Sequence, residues 1–145
     1  MKVLFICTGN TCRSPMAEII FANICPKGFS VSSRGIRALG SESASKNAVS
    51  AVREMLDLRL EFHRSKQLQR ADVEETDIIF CMGNEHKDFI DLAYENANAK
   101  THLIYKFAED KDKDLYDPYG GDLSDYLQCA RELNRLAAKA LYRLK

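Results

Sequence analysis

The run Cys7-Thr8-Gly9-Asn10-Thr11-Cys12-Arg13-Ser14 places a thiol, an arginine and several small polar residues in one short segment. A cysteine thiolate is a strong nucleophile, and the guanidinium of Arg13 offers a planar fork of donors that matches two oxygens of a phosphate. The run follows the apolar stretch Val3-Leu4-Phe5-Ile6 and precedes Pro15-Met16-Ala17-Glu18. It reads as a strand ending in a cysteine, a tight polar turn, and a helix with proline in its first turn. Free N–H groups and the dipole at a helix start attract anions, and the same field stabilises a thiolate. A nucleophile and an oxyanion cradle therefore share one loop.

Other chemistry fits these residues less well. Cys7 and Cys12 are spaced more widely than most paired zinc ligands, no second Cys/His pair follows closely, and His63, His86 and His102 are scattered. No metal is expected. The Gly-x4-Gly-Lys-Ser/Thr pattern of a nucleotide-binding loop is absent. A buried Cys7 in an ordinary strand-to-helix turn does not explain why Gly9 and Asn10 stand where the backbone must turn tightly, nor why Ser14-Pro15 follows at the helix start.

The elements that must hold this loop follow from periodicity. Residues 2–7 read as a buried strand. Residues 15–25 form a helix, with Met16, Ile19, Ile20 and Ile24 on one face, ending near Pro26-Lys27-Gly28. Residues 29–34 alternate as a second strand, and 35–45 read as loop. Helical spacing returns over 46–57, a short helix fits 68–75, and residues 77–82 are a buried parallel strand. A helix over 84–94 and a fourth strand over 102–105 follow. Residues 107–122 read as a charged loop with a turn at Asp117-Pro118-Tyr119-Gly120-Gly121, and the mixed-charge run 109–114 as solvated. From Ser124 onward, Leu127, Ala130, Leu133, Leu136, Ala137, Ala140, Leu141 and Leu144 trace one face of a long closing helix. Alternating strands and helices imply a parallel sheet covered on both faces, with ligands bound beyond the carboxyl ends of its strands.

Bulk properties narrow the function. The chain has 145 residues, enough for one domain over 1–145 with a substantial core. Its 21 basic and 21 acidic residues cancel, which argues against bulk electrostatic binding to nucleic acid or an anionic membrane. No apolar stretch approaches the ~18–20 residues of a membrane span. The N-terminus lacks the features of a signal peptide, and five irregularly spaced cysteines suit a reduced, cytoplasmic setting better than a disulfide framework. Cys25, Cys81 and Cys129 fall in apolar contexts and read as inert core thiols. A monomer is expected.

With Cys7-x5-Arg13-Ser14 near the start and Asp117-Pro118-Tyr119-Gly120 late in the chain, the sequence resembles the low-molecular-weight protein tyrosine phosphatase family over essentially its whole length. Ser32-Ser33 before a glycine turn, His63-Arg64-Ser65 and Asp77-Ile78-Ile79-Phe80-Cys81-Met82 are intermediate landmarks. The resemblance implies an α/β fold, a single three-layer domain with a four-stranded parallel sheet flanked by helices. Within the family, the run from Cys7 to Glu18 and the Asp-Pro-Tyr-Gly-Gly at 117–121 are similar to bacterial protein arginine phosphatases. Tyrosine-directed members usually carry a bulkier aliphatic residue at the position of Thr11. A threonine there offers a hydroxyl to a guanidinium, or it is simply a tolerated loop residue of similar shape.

The resemblance implies a two-step displacement with Cys7, Arg13 and Asp117 as catalytic residues. Cys7 attacks phosphorus, and Arg13 and the loop from Thr8 through Gly9, Asn10, Thr11 and Cys12 to Ser14 bind the phosphoryl oxygens. Asp117 protonates the leaving atom and then activates water. Ser14 donates to the Cys7 thiolate, Asn10 braces the loop with support from His63 and Ser33, and Tyr119 walls the substrate slot opposite residues 36–41. No organic cofactor is needed, and the partners are phosphorylated proteins. A Cys7–Cys12 disulfide is a further expectation of the resemblance, protecting the thiol from over-oxidation. Phosphoarginine and phosphotyrosine both remain as substrates. Thioredoxin-coupled arsenate reductases share the loop but need two further cysteines close together, and Cys81 stands alone in that region. A catalytically dead binding module would lack Cys7 or Asp117, and both are present.

Overall fold

The computed structural model describes residues 1–145. Four parallel strands, β1 (Lys2–Cys7), β2 (Ser30–Gly35), β3 (Ile78–Cys81) and β4 (Thr101–Leu103), are ordered β2-β1-β3-β4. β1 is central: Val3 pairs with Val31 on one side and Ile78 on the other, and Cys7 ends opposite Gly35. Because strand side chains alternate, β1 feeds two cores. Val3, Phe5 and Cys7 face the larger one, while Leu4 and Ile6 face a smaller one with Ile36, Val73, Ile79 and Ile90.

The larger core is closed by α1 (Arg13–Ile24), α2 (Lys46–Leu56), α5 (Ile104–Glu109) and α6 (Leu123–Leu144). The smaller one lies under α3 (Arg70–Glu75) and α4 (Asn84–Ala93). This is the expected three-layer architecture. α6 begins with a reciprocal cap, Asp122 accepting from the Asp125 N–H and Asp125 from the Asp122 N–H, each at 3.1 Å. It then buries Leu133, Leu136 and Leu141 at helical spacing, each worth about 1.5–3 kcal/mol of transfer free energy. No helix is long and apolar enough to cross a membrane.

Four local readings differ from the sequence expectation. The fourth strand stops at Leu103, and Ile104–Glu109 is a helix rather than strand followed by loop. Ile104, Tyr105 and Ala108 are all buried, so an i, i+1, i+4 stripe against α6 outweighs the β-branched start of the segment. Glu109 is not solvated either. Its side chain is 5% exposed, with Arg135 at 2.7 Å, Lys139 at 2.9 Å and Lys111 at 3.5 Å. Cys25 is half-buried rather than core, and Phe29 lies just before β2.

Candidate active site

β1 delivers Cys7 to the carboxyl edge of the sheet, and α1 starts at Arg13, so residues 8–12 span the gap as a loop. Two devices make that turn possible. Asn10 adopts φ 58°, a left-handed conformation that asparagine tolerates. Gly35, at the end of β2, lets the strand touch the loop: a Cβ there would lie 2.6 Å from the Thr8 carbonyl oxygen and 3.0 Å from the Gly9 carbonyl carbon. The loop is also tied outward, since Thr8 O accepts from the Arg37 N–H and Thr11 O from the Ser45 N–H, both at 2.9 Å.

None of the backbone N–H groups from Thr8 to Ser14 donates to a backbone carbonyl. A row of N–H groups without backbone partners at a helix start is suited to receive an anion. Cys7, Thr8, Gly9, Thr11, Cys12 and Arg13 line a cleft of about 320 Å³ over this row. Arg37, Leu39, Glu42, Asp117 and Tyr119 complete its lining. The 36–41 wall is therefore the one expected, extended to Glu42 and without an aromatic.

Beneath the loop, a directed hydrogen-bond chain ends on the thiol. Asn10, fully buried, donates through Nδ2 to Ser14 Oγ at 2.8 Å and to Ser33 Oγ at 2.9 Å, and Oδ1 accepts from the Lys66 N–H at 3.0 Å. Ser33 Oγ in turn donates to Glu18 Oε1 at 2.6 Å. With an amide already donating to its oxygen, Ser14 keeps its own proton for Cys7 Sγ, 2.9 Å away. His63 Nε2 donates to Asn10 O at 2.8 Å, which fixes the strained residue from outside. Asn10 and Ser14 thus support the cleft from below rather than line it.

Arg13 is 7% exposed and reaches two points of the Asp117 loop, Leu115 O at 3.2 Å through Nη1 and Asp117 Oδ2 at 3.4 Å through Nη2. That loop is anchored at the carboxyl end of β3, where the Leu115 N–H donates to Met82 O at 2.8 Å and Asp114 accepts from the Asn84 N–H at 2.8 Å. Asp117 turns the chain by accepting from the Tyr119 N–H at 3.1 Å, and its side chain stays half exposed at the cleft mouth. A thiol, a guanidinium and a carboxyl group from opposite ends of the sequence thus meet over one cradle.

Both loop cysteines are free thiols. Cys12 Sγ turns toward Tyr126 OH at 3.4 Å and Ser45 Oγ at 3.5 Å, and burial with the Cys12 contact pushes the Tyr126 phenol up to about 12. No cluster of three or more His, Cys, Asp or Glu side chains is arranged to hold a metal ion. One site contact had no separate sequence signal: His86, on α4, reaches Thr8 Oγ1 at 3.0 Å. A lone histidine on a helix reads as packing, and only the fold brings it to the loop.

The chain is 34% identical to a protein-arginine-phosphatase of Geobacillus stearothermophilus over 99% of its own length and 96% of the relative's. It is equally, 34%, identical to the low molecular weight protein-tyrosine-phosphatase PtpB of Staphylococcus aureus, over 96% of each chain. A solved structure of the YwlE arginine phosphatase, a C7S mutant with a phosphorylated active site serine, superposes with a TM-score of 0.94 at 31% identity, covering 99% of this chain and 95% of that one. The family described as low molecular weight phosphotyrosine protein phosphatase matches residues 2–145, and the chain belongs to it.

Proposed function

We propose that this chain is a protein phosphatase that removes the phosphoryl group from arginine side chains through a cysteinyl-phosphate intermediate, and that one chain carries the whole site. The observation that carries the chemistry is the row of unpartnered loop amides beside Cys7, with Asp117 across the cleft. In the first step the Cys7 thiolate forms an S–P bond while the P–N bond to the guanidine breaks, and Asp117 gives its proton to that nitrogen. In the second step water forms an O–P bond, the S–P bond breaks, and Asp117 takes the proton from water. Arg13 and the loop amides carry the charge spread over the equatorial oxygens. Ser14 donates to the sulfur when it is the attacking thiolate and again when it leaves. The phosphorylated serine of the C7S YwlE mutant supports a phosphoryl group carried on residue 7.

Overall identity is the same to arginine- and tyrosine-directed relatives, so the substrate must be read from the cleft. Thr11 and Glu42 line it, one with a hydroxyl and the other with a carboxylate. A phosphorylated guanidinium presents N–H donors that such groups accept, whereas a phenyl ring leaves them without partners. Tyr119, 78% exposed, stacks on either. The test is kcat/KM on a phosphoarginine protein and on a phosphotyrosine peptide, for wild type and Thr11→Ile. Wild type is expected to prefer phosphoarginine and the variant to move toward phosphotyrosine. A strong wild-type preference for phosphotyrosine would overturn the arginine assignment.

A further inference from the structure

Thr8 follows the nucleophile, lines the cleft and has its hydroxyl 3.0 Å from Nε2 of His86. The imidazole is 1% exposed. Its other nitrogen, Nδ1, accepts the Gly83 N–H at 3.0 Å. A ring nitrogen that accepts from an amide carries no proton, so the neutral ring holds its proton on Nε2. Burial, reinforced by the Arg13 guanidinium, holds His86 down at about 4, so the ring stays neutral near neutrality. Nε2–H therefore donates to Thr8 Oγ1. A hydroxyl that accepts from a fixed donor turns its own proton elsewhere, and the open side of Thr8 is the cleft. A residue needed only for its shape would be served by valine, which would strand the His86 N–H in the interior without a partner.

We infer that His86 is a positioning residue that holds the Thr8 hydroxyl with its proton toward the cleft, where it donates to an oxygen of the phosphoryl group that Cys7 attacks. This rests on the cleft being the phosphoryl site, and it holds whether the leaving atom is nitrogen or oxygen. The seat of His86 is built for the task. It occupies the third position of α4, where its Nδ1 caps the helix start, so the ring is pinned at one nitrogen and aimed with the other.

The experiment uses the full chain with para-nitrophenyl phosphate as substrate and inorganic phosphate as competitive inhibitor. The variants are Thr8→Val, His86→Leu, His86→Gln and the double variant Thr8→Val/His86→Leu. Thr8→Val and His86→Leu are each expected to lower kcat/KM about tenfold, the effect of one hydrogen bond to a charged group, and to weaken phosphate inhibition in parallel. The double variant is expected to lose no more than either alone, since both remove the same contact. Glutamine places an amide N–H near the position of Nε2, so His86→Gln is expected to recover most of the loss. Unchanged kinetics in Thr8→Val, additive losses in the double variant, or no recovery in a folded His86→Gln would each overturn the proposal. Should His86→Leu fail to fold, Thr8→Val decides alone, because valine keeps the shape of the wall. A wild type inactive on this ester and insensitive to phosphate would overturn the phosphatase reading itself, a result separable from the others.

Discussion

Asn10 uses every polar atom of its side chain to hold the loop: Nδ2 on Ser14 and Ser33, Oδ1 on the Lys66 N–H. Replacing it by alanine leaves the Lys66 N–H and the buried Ser14 and Ser33 hydroxyls without that partner, at about 1–3 kcal/mol for a buried group left unpaired. Asn10→Ala is expected to lower Tm and to reduce kcat/KM at least about tenfold, because the strained turn and the Ser14 contact are released together. Cys7→Ser is expected to abolish turnover while thermal melting stays close to wild type, since the two side chains are nearly the same size. Asp117→Asn removes the proton donor but not the side-chain shape, and a fall of about 10²–10⁴ in kcat on substrates with poor leaving groups is expected. An Asp117→Asn enzyme with wild-type kcat would remove Asp117 from the mechanism.

At the scale of elements, the loop is shaped by its neighbours as much as by its own sequence. A Cβ at Gly35 would collide with the Thr8 carbonyl and reach Asn10 N at 3.1 Å, so Gly35→Ala is expected to cut activity by displacing the cradle, with a smaller effect on stability. A variant with full activity would show that the loop does not need the close approach. The order of strands and helices, and the Cys7 loop at a strand end, were legible because apolar periodicity is strong in β1, β3 and α6. The end of β4 was not. His102-Leu103-Ile104-Tyr105 has strand-like composition, and only packing of Ile104, Tyr105 and Ala108 against α6 turns it helical. That Cys7 and Arg13 share a loop was legible by type and spacing, and the place of Asp117 beside them came through the family resemblance. Glu42 and His86 were not legible, because their place at the cleft depends on how the elements around β1 pack, which no local pattern encodes.

Across the whole molecule, the two groups with the largest downward shifts link stability to acid. Hydrogen bonds from Arg135 and Lys139 hold Glu109 well below its ordinary 4.5, at about 2. Burial holds His86 below its ordinary 6.5, at about 4. In both cases the unfolded chain takes up a proton before the folded one does, so stability is lost as pH falls. The His86 contribution fades from about 6.5 to 4 and that of Glu109 from 4.5 to 2. Glu109→Gln is expected to lower Tm near neutrality and to flatten the lower of these windows in a series of melts. An unchanged acid limb would show that the α5–α6 ion pairs do not couple to folding.

Transfer of a phosphoryl group from a guanidine nitrogen to the sulfur of Cys7 is the central step. A single-turnover reaction of the wild-type chain with radiolabelled phosphoarginine protein, rapidly quenched and mapped by peptide, tests this most directly. Label is predicted to appear on the peptide that contains Cys7 before it reaches water, and no label is predicted on the protein in Cys7→Ala. Label that passes to water without residing on the protein, or that settles on a residue other than Cys7, would contradict it.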